Sequence, residues 1–180
     1  MNTDRHAVEI VSRKRNAALA PADVCAEGFC RLDVIIKPMI TWPDTTPGLF
    51  VLPSGRTLRG RSLRAIPDGE SPDFGLYLAR PSTTFPWDHA VLDWPDFGLP
   101  KNKAKFDAAI QDLWKRAATE RVEVACTGGL GRTGTTLACI AILDGIAPER
   151  AVQFVRENYH PKAIETPWQK SFVHRFSPSA

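Results

Sequence analysis

No stretch of this 180-residue chain stays apolar for anything near the ~20 residues that a membrane-spanning helix needs. A secretory leader is not expected either, because "MNTDRHAVEIVSRKRN" carries charges where a signal peptide has its apolar core. A cytoplasmic location is therefore expected. Charge of one sign is scarce: 23 Lys and Arg against 20 Asp and Glu leave a net charge of +3. That balance gives no electrostatic reason to expect nucleic acid or a membrane surface as partner. Cysteine is also sparse. Cys25, Cys30, Cys126 and Cys139 lack the close pairs and neighbouring histidines of a zinc site, and in a cytoplasmic protein they are expected as free thiols. The four histidines, His6, His89, His160 and His174, show no metal-ligand spacing either. There is no internal repeat and no low-complexity tract.

What is present is an ordinary globular composition, 43% hydrophobic and 24% charged, at a length that suits one compact domain. Residues 1–20 are polar and read as an N-terminal arm, with one domain expected over 21–180. The β-branched core of "RLDVIIKPMI" (31–40) predicts a strand, and "GLFVLPSGRTL" (48–58) a hairpin turning at "PSG". "GLYLA" (75–79) and "HAVLDW" (89–94) read as two more strands. After residue 100 the period changes. Phe106, Ile110, Leu113, Trp114 and Ala117 recur at helical spacing. "RVEVAC" (121–126) then reads as a strand and "TGTTLACIAILDG" as a buried helix ending at Gly145. Two further helices open on Pro148 and on Thr166-Pro167, with Thr166 as N-cap. Strands first and helices later, with a strand–loop–helix unit near residue 126, predict an α/β fold: a central, mostly parallel sheet flanked by helices on both faces.

The loop in that unit, "VACTGGLGRTGTT" (124–136), fits three phosphate motifs. A dinucleotide fingerprint needs a second strand ending in an acid, and none follows. A Walker A loop needs lysine where Thr135 stands. The third reading uses every unusual residue. Backbone N–H groups leading into a helix N-terminus cradle an oxyanion, and Arg132 offers two of its oxygens a planar fork. Cys126 lies at the strand end beneath them. Those same charges and dipoles favour a thiolate, with a pKa lowered from ~8.5 to roughly 3.5–7.5 in such settings.

"CTGGLGRTG" resembles the C-x-x-G-x-G-R-[ST]-G loop of the cysteine-dependent protein tyrosine and dual-specificity phosphatases. The resemblance implies their fold and an attack by Cys126 on phosphorus. Arg132 and the amides of Thr127, Gly128, Gly129, Leu130 and Gly131 would hold the phosphoryl oxygens. Thr133 would hydrogen-bond the sulfur and ease its departure. No metal or organic cofactor is implied. Expulsion of an alkoxide or phenoxide calls for an acid on a loop facing the cysteine. "DWPDFGLP" (93–100) resembles the family's "WPD" loop and puts Asp96 in that role, with Trp94 and Pro95 as hinge and anchor; Asp93 is the spare acid. "IETPWQ" (164–169) echoes a Q-T-x-x-Q segment through Thr166 and Gln169. Gln169 either orients water or substrate or is a helix-surface glutamine. Glu165, where the family has glutamine, reads equally as a helix N-terminal charge.

Three departures matter. Ala125 stands where the family usually has a histidine that organises the loop, so a higher thiol pKa and slower turnover are expected. The loop has no lysine, which argues against polyphosphorylated lipids. The tyrosine-recognition segment of the large enzymes is not visible. Arg56, Arg59, Arg61 and Arg64 form either a solvated hairpin or a basic rim for acidic substrates. Cys139 is expected in the core, and Trp42, Trp87, Trp114 and Trp168 as core or loop anchors. The expected activity is phosphate monoester hydrolysis, on phosphorylated protein. The alternatives are RNA 5′ ends, lipids or small phosphate esters, or phosphate binding without turnover.

Overall fold

The computed structural model describes residues 9–11, 41–65 and 69–178. The expected strand at 31–40 and both Cys25 and Cys30 lie outside the described residues. Six strands form one sheet in the order β1-β5-β4-β6-β3-β2: β1 (Glu9–Val11), β2 (Leu49–Val51), β3 (Thr57–Ser62), β4 (Phe74–Tyr77), β5 (Asp88–Val91) and β6 (Val122–Cys126). The four central strands run parallel, and β1 and β2 pair antiparallel at the edges. The expected mostly parallel sheet is therefore present. Residues 9–11, from the segment read as an arm, build one of its edges.

Local chemistry accounts for most elements. The β2–β3 hairpin turns at Gly55, whose φ of +82° favours glycine. Helix α1 (Lys103–Arg116) opens where the Asn102 side chain accepts from the Lys105 N–H at 3.0 Å. It buries Phe106, Ile110 and Leu113 at the predicted spacing. Helix α2 (Gly131–Leu143) is buried on nearly every side, which explains an apolar run with little amphipathic contrast. Helix α3 (Pro148–Asn158) begins at proline. Helix α4 (Pro167–His174) begins with a reciprocal cap between Thr166 and Gln169.

Among the described residues the helices gather around α2 on one face of the sheet. Leu58, Leu76, Val122 and Val124 from the strands meet Phe106, Leu113, Leu137, Ile140, Val155 and Val173 there. Full burial of each such side chain contributes about 1.5–3 kcal/mol. The opposite face carries polar chemistry. Glu123, with a fully buried side chain, receives Arg59 at 2.7 Å, Arg61 at 2.9 Å and the Tyr77 hydroxyl at 2.7 Å. This corrects the reading of the arginine run. Arg59 and Arg61 alternate with apolar neighbours along β3 and form neither a solvated surface nor a rim. Arg56 pairs with Asp144 at 3.3 Å, which leaves Arg64 as the exposed member.

Strand β6 lies between β3 and β4, the strands that precede it in the chain. Its carboxyl end is thus a switch point of a parallel sheet, where such folds open a crevice. Cys126 is its last residue.

Candidate active site

The loop 127–130 leaves β6 and enters α2 at Gly131. It curls tightly because Gly129 takes a φ of +77°. A Cβ there would lie 2.8 Å from the Ser62 nitrogen and 2.9 Å from the Arg61 carbonyl carbon, so side chains are excluded by conformation and by space. The curl turns the Gly129 N–H onto Cys126 Sγ at 3.2 Å. Ser62 Oγ donates to the Thr127 carbonyl at 2.6 Å, and the Tyr159 hydroxyl donates to the Gly129 carbonyl at 2.6 Å. Ala125, just before Cys126 on β6, is fully buried in the sheet.

Arg132 is buried and held at several points. Its Nη1 donates to the Trp94 carbonyl at 2.9 Å and to the Leu78 carbonyl at 3.2 Å, and its Nη2 to Thr127 Oγ1 at 3.0 Å. The Asp96 carboxylate meets the same Nη2 at 2.9 Å. The "WPD" segment, which leaves β5 thirty residues upstream of the cysteine, is thus brought onto the phosphate loop. Trp94 is buried and edges onto the Phe106 ring at 5.4 Å, anchoring the segment, while Asp96 stays 60% exposed at its tip. Phe97 follows in the left-handed region, with a φ of 54°. Its carbonyl accepts the Trp168 indole N–H from the first turn of α4.

Gln169 is fully buried, which removes the helix-surface reading. Its Oε1 accepts from the Glu165 N–H at 3.0 Å and the Thr166 N–H at 3.3 Å, and its Nε2 lies 3.5 Å from the Gly98 carbonyl. Its amide also lies against Gly131, where a Cβ would come within 3.3 Å of it. The Thr133 hydroxyl and Arg132 Nε are buried and make no hydrogen bond to the protein. Cys139 is buried in the core, and burial, followed by the nearby Asp107 charge, pushes its thiol well above the ordinary range. Asp93 is exposed and takes no part in the cluster formed by Cys126, Arg132 and Asp96. Among the described residues, no group of three or more His, Cys, Asp or Glu is placed to hold a metal ion. None of the described helices is long and apolar enough to cross a membrane.

Ser62 and Tyr159 take part in this site without belonging to any motif, while Trp168, expected as a core or loop anchor, bonds the Asp96 loop. Gly60 makes room for Tyr159. A Cβ there would lie 2.6 Å from the Tyr159 ring, so the glycine is a receptacle for it.

Residues 91–174 match the family model described as a Swiss Army Knife protein, DSP-PTPase phosphatase domain. The match takes in both the Asp96 segment and the Cys126 loop. Over these residues the chain is similar to phosphatases of the tyrosine and dual-specificity type. An uncharacterized protein of Methanocaldococcus jannaschii is 39% identical to this chain over 79 residues, 43% of the chain and 48% of the relative. Receptor-type tyrosine-protein phosphatase epsilon of Rattus norvegicus is 34% identical over 90 residues, 46% of the chain and 13% of the receptor. The chain thus spans about half the length of the archaeal relatives it matches and far less of the receptor. Among solved structures, the Trypanosoma brucei protein tyrosine phosphatase TbPTP1 is similar at 25% identity and a TM-score of 0.42, covering 49% of this chain and 34% of that one. A kinase associated phosphatase with its catalytic cysteine changed to serine is similar at 26% identity and a TM-score of 0.45, covering 49% and 51%.

Proposed function

We propose that this domain hydrolyses phosphate monoesters through a cysteinyl-phosphate intermediate, with phosphotyrosine or phosphoserine/threonine protein as substrate. One observation carries the reading: a single guanidinium, Arg132, joins the loop around Cys126 Sγ to the carboxylate of Asp96. The acid lies on a separate segment of the chain, and this contact is what joins it to the loop that holds the nucleophile and the fork.

In the first step the Cys126 thiolate attacks phosphorus. The P–O bond to the leaving group breaks as the S–P bond forms, and Asp96 gives its proton to the departing oxygen. The amides of 127–132 and the Arg132 fork hold the equatorial oxygens where charge accumulates. In the second step the Asp96 carboxylate takes a proton from water. That water attacks phosphorus and the thiolate departs, with the Thr133 hydroxyl free to donate to the sulfur. Gln169 sits between the Asp96 loop and the start of α2, a place from which its amide can orient that water.

Hydrolysis of an aryl phosphate, abolished by Cys126→Ser, tests the proposal. Phosphopeptides, RNA 5′ ends, phospholipid headgroups and small phosphate esters, offered side by side, assign the substrate class. Tight vanadate binding without hydrolysis of any of them would replace the enzyme with a phosphate-binding module.

A further inference from the structure

Ala125 raises a physical problem. It stands where the family's histidine would organise the loop, and an alanine side chain can donate nothing. Yet the Gly129 N–H points at Cys126 Sγ at 3.2 Å, with Gly129 at a φ of +77°, one of several conformations open to a glycine. Something else must hold it.

Ser62 bonds the loop at Thr127, and at Gly129 itself one side chain has the right chemistry and reach. Tyr159, the C-cap of α3, donates from its hydroxyl to the Gly129 carbonyl at 2.6 Å. The Gly129 N–H toward the sulfur and the Gly129 carbonyl toward the phenol flank one Cα, so the two bonds together fix both dihedrals of that residue. Two glycines make room for the arrangement. Gly60 leaves the space that the Tyr159 ring fills, since a Cβ would lie 2.6 to 2.7 Å from ring carbons. Gly129 itself fits against the Ser62 nitrogen only without a Cβ. The phenol stays a donor throughout, because burial, and then the charge of Cys126, push its pKa well above the ordinary tyrosine range.

We infer that Tyr159 is a positioning residue for the Cys126 nucleophile: through Gly129 it aims a backbone N–H at the sulfur and so supplies the loop organisation that Ala125 cannot. The inference rests on the phosphatase reading. Arg132, Asp96 and Glu165 are the charged groups facing the same loop, Glu165 through its carboxylate beside Gly131, and none of them contacts the Tyr159 hydroxyl.

The test uses the full chain, wild type and Tyr159→Phe, with Cys126→Ser as the blank for the other thiols. Phenylalanine keeps the ring over Gly60, so the packing is retained. The rate of iodoacetamide alkylation of Cys126 and kcat/KM for an aryl phosphate are followed against pH. Loss of one hydrogen bond predicts an alkylation midpoint raised by roughly half a unit to one unit, and kcat/KM lowered about three- to ten-fold below that midpoint. The sign follows from the charge: a misdirected N–H stabilises the thiolate less, so the thiol holds its proton to higher pH. The deficit should therefore close as pH rises past the new midpoint. A purely structural defect would not recover in this way. Identical midpoints in the two proteins, or a deficit that is the same at every pH, would overturn the role of Tyr159 while leaving the phosphatase reading intact. A wild-type Cys126 that titrates like a free cysteine, with no hydrolysis, would overturn both.

Discussion

The Asp96 carboxylate lies 2.9 Å from Nη2 of Arg132, the group that would hold the phosphoryl oxygens. In the proposed mechanism an incoming phosphate therefore competes with Asp96 for the guanidinium. Removing the carboxylate should thus affect the two kinetic constants in different ways. Asp96→Ala is expected to lower kcat by about 10²- to 10⁴-fold, the usual contribution of a general acid. KM, and the Kd for vanadate, should stay level or fall, because the guanidinium is released. Steady-state kinetics with an alkyl phosphate would show the effect most clearly, since its leaving group most needs the proton. Unchanged turnover would remove Asp96 from the role.

Trp168 ties the acid loop to α4 through the Phe97 carbonyl. Trp168→Phe keeps an aromatic ring and deletes the donor. A fall in kcat of about two- to ten-fold is expected with an alkyl phosphate, with KM little changed. In the Asp96→Ala background the same substitution should have almost no effect, because the loop then has no proton to deliver. Equal losses in both backgrounds would show that Trp168 acts elsewhere.

Glu123 is a matter of stability rather than chemistry. Its buried carboxylate is satisfied by Arg59, Arg61 and Tyr77, and Glu123→Ala would leave two arginines buried without their partner. A loss of about 3–5 kcal/mol is expected for breaking such a pair. Urea unfolding of wild type and variant would measure it, and a difference below about 1 kcal/mol would mean that water reaches the arginines. The cluster sits two residues before Ala125 on the strand that ends at Cys126, so the catalytic loop should lose order along with the sheet.

Asp144 gives the acid limb of the stability profile one identifiable source. Burial raises its pKa, but the hydrogen bonds from Trp114 and Ser54 and the charge of Arg56 outweigh this and hold it below the ordinary carboxylate range. A group depressed in the folded state contributes fully above the unfolded value of ~3.9 and loses that contribution as pH falls through the folded value. Asp144→Asn should therefore destabilise the protein at neutral pH and flatten the decline below about pH 4. Parallel unfolding curves for the two proteins across that range would assign the acid sensitivity to other carboxylates.

Local physics made much of this molecule readable along the chain. The 3.6-residue period of Phe106, Ile110 and Leu113, the prolines opening α3 and α4, and the Thr166 cap each act within a few residues, and each element formed where its signal lay. The glycine-rich loop after Cys126 was readable for the same reason: its glycines, its arginine and the following helix form one continuous segment. Asp96 was proposed as the acid from a short motif, and the fold places its carboxylate 2.9 Å from Arg132. The arginines of β3 were misread because alternation places them on a face whose partner, Glu123, is 62 and 64 residues away. No local pattern distinguishes an arginine bound for a buried carboxylate from one bound for solvent. The Tyr159 hydroxyl and the Gly129 carbonyl meet across 30 residues, and Trp168 and Phe97 across 71. Such contacts depend on where α3 and α4 come to rest against α2, and that follows from packing the whole core. Residue order therefore specified the chemistry of the loop, while the assembled sheet and helices specified which side chains hold that loop in shape.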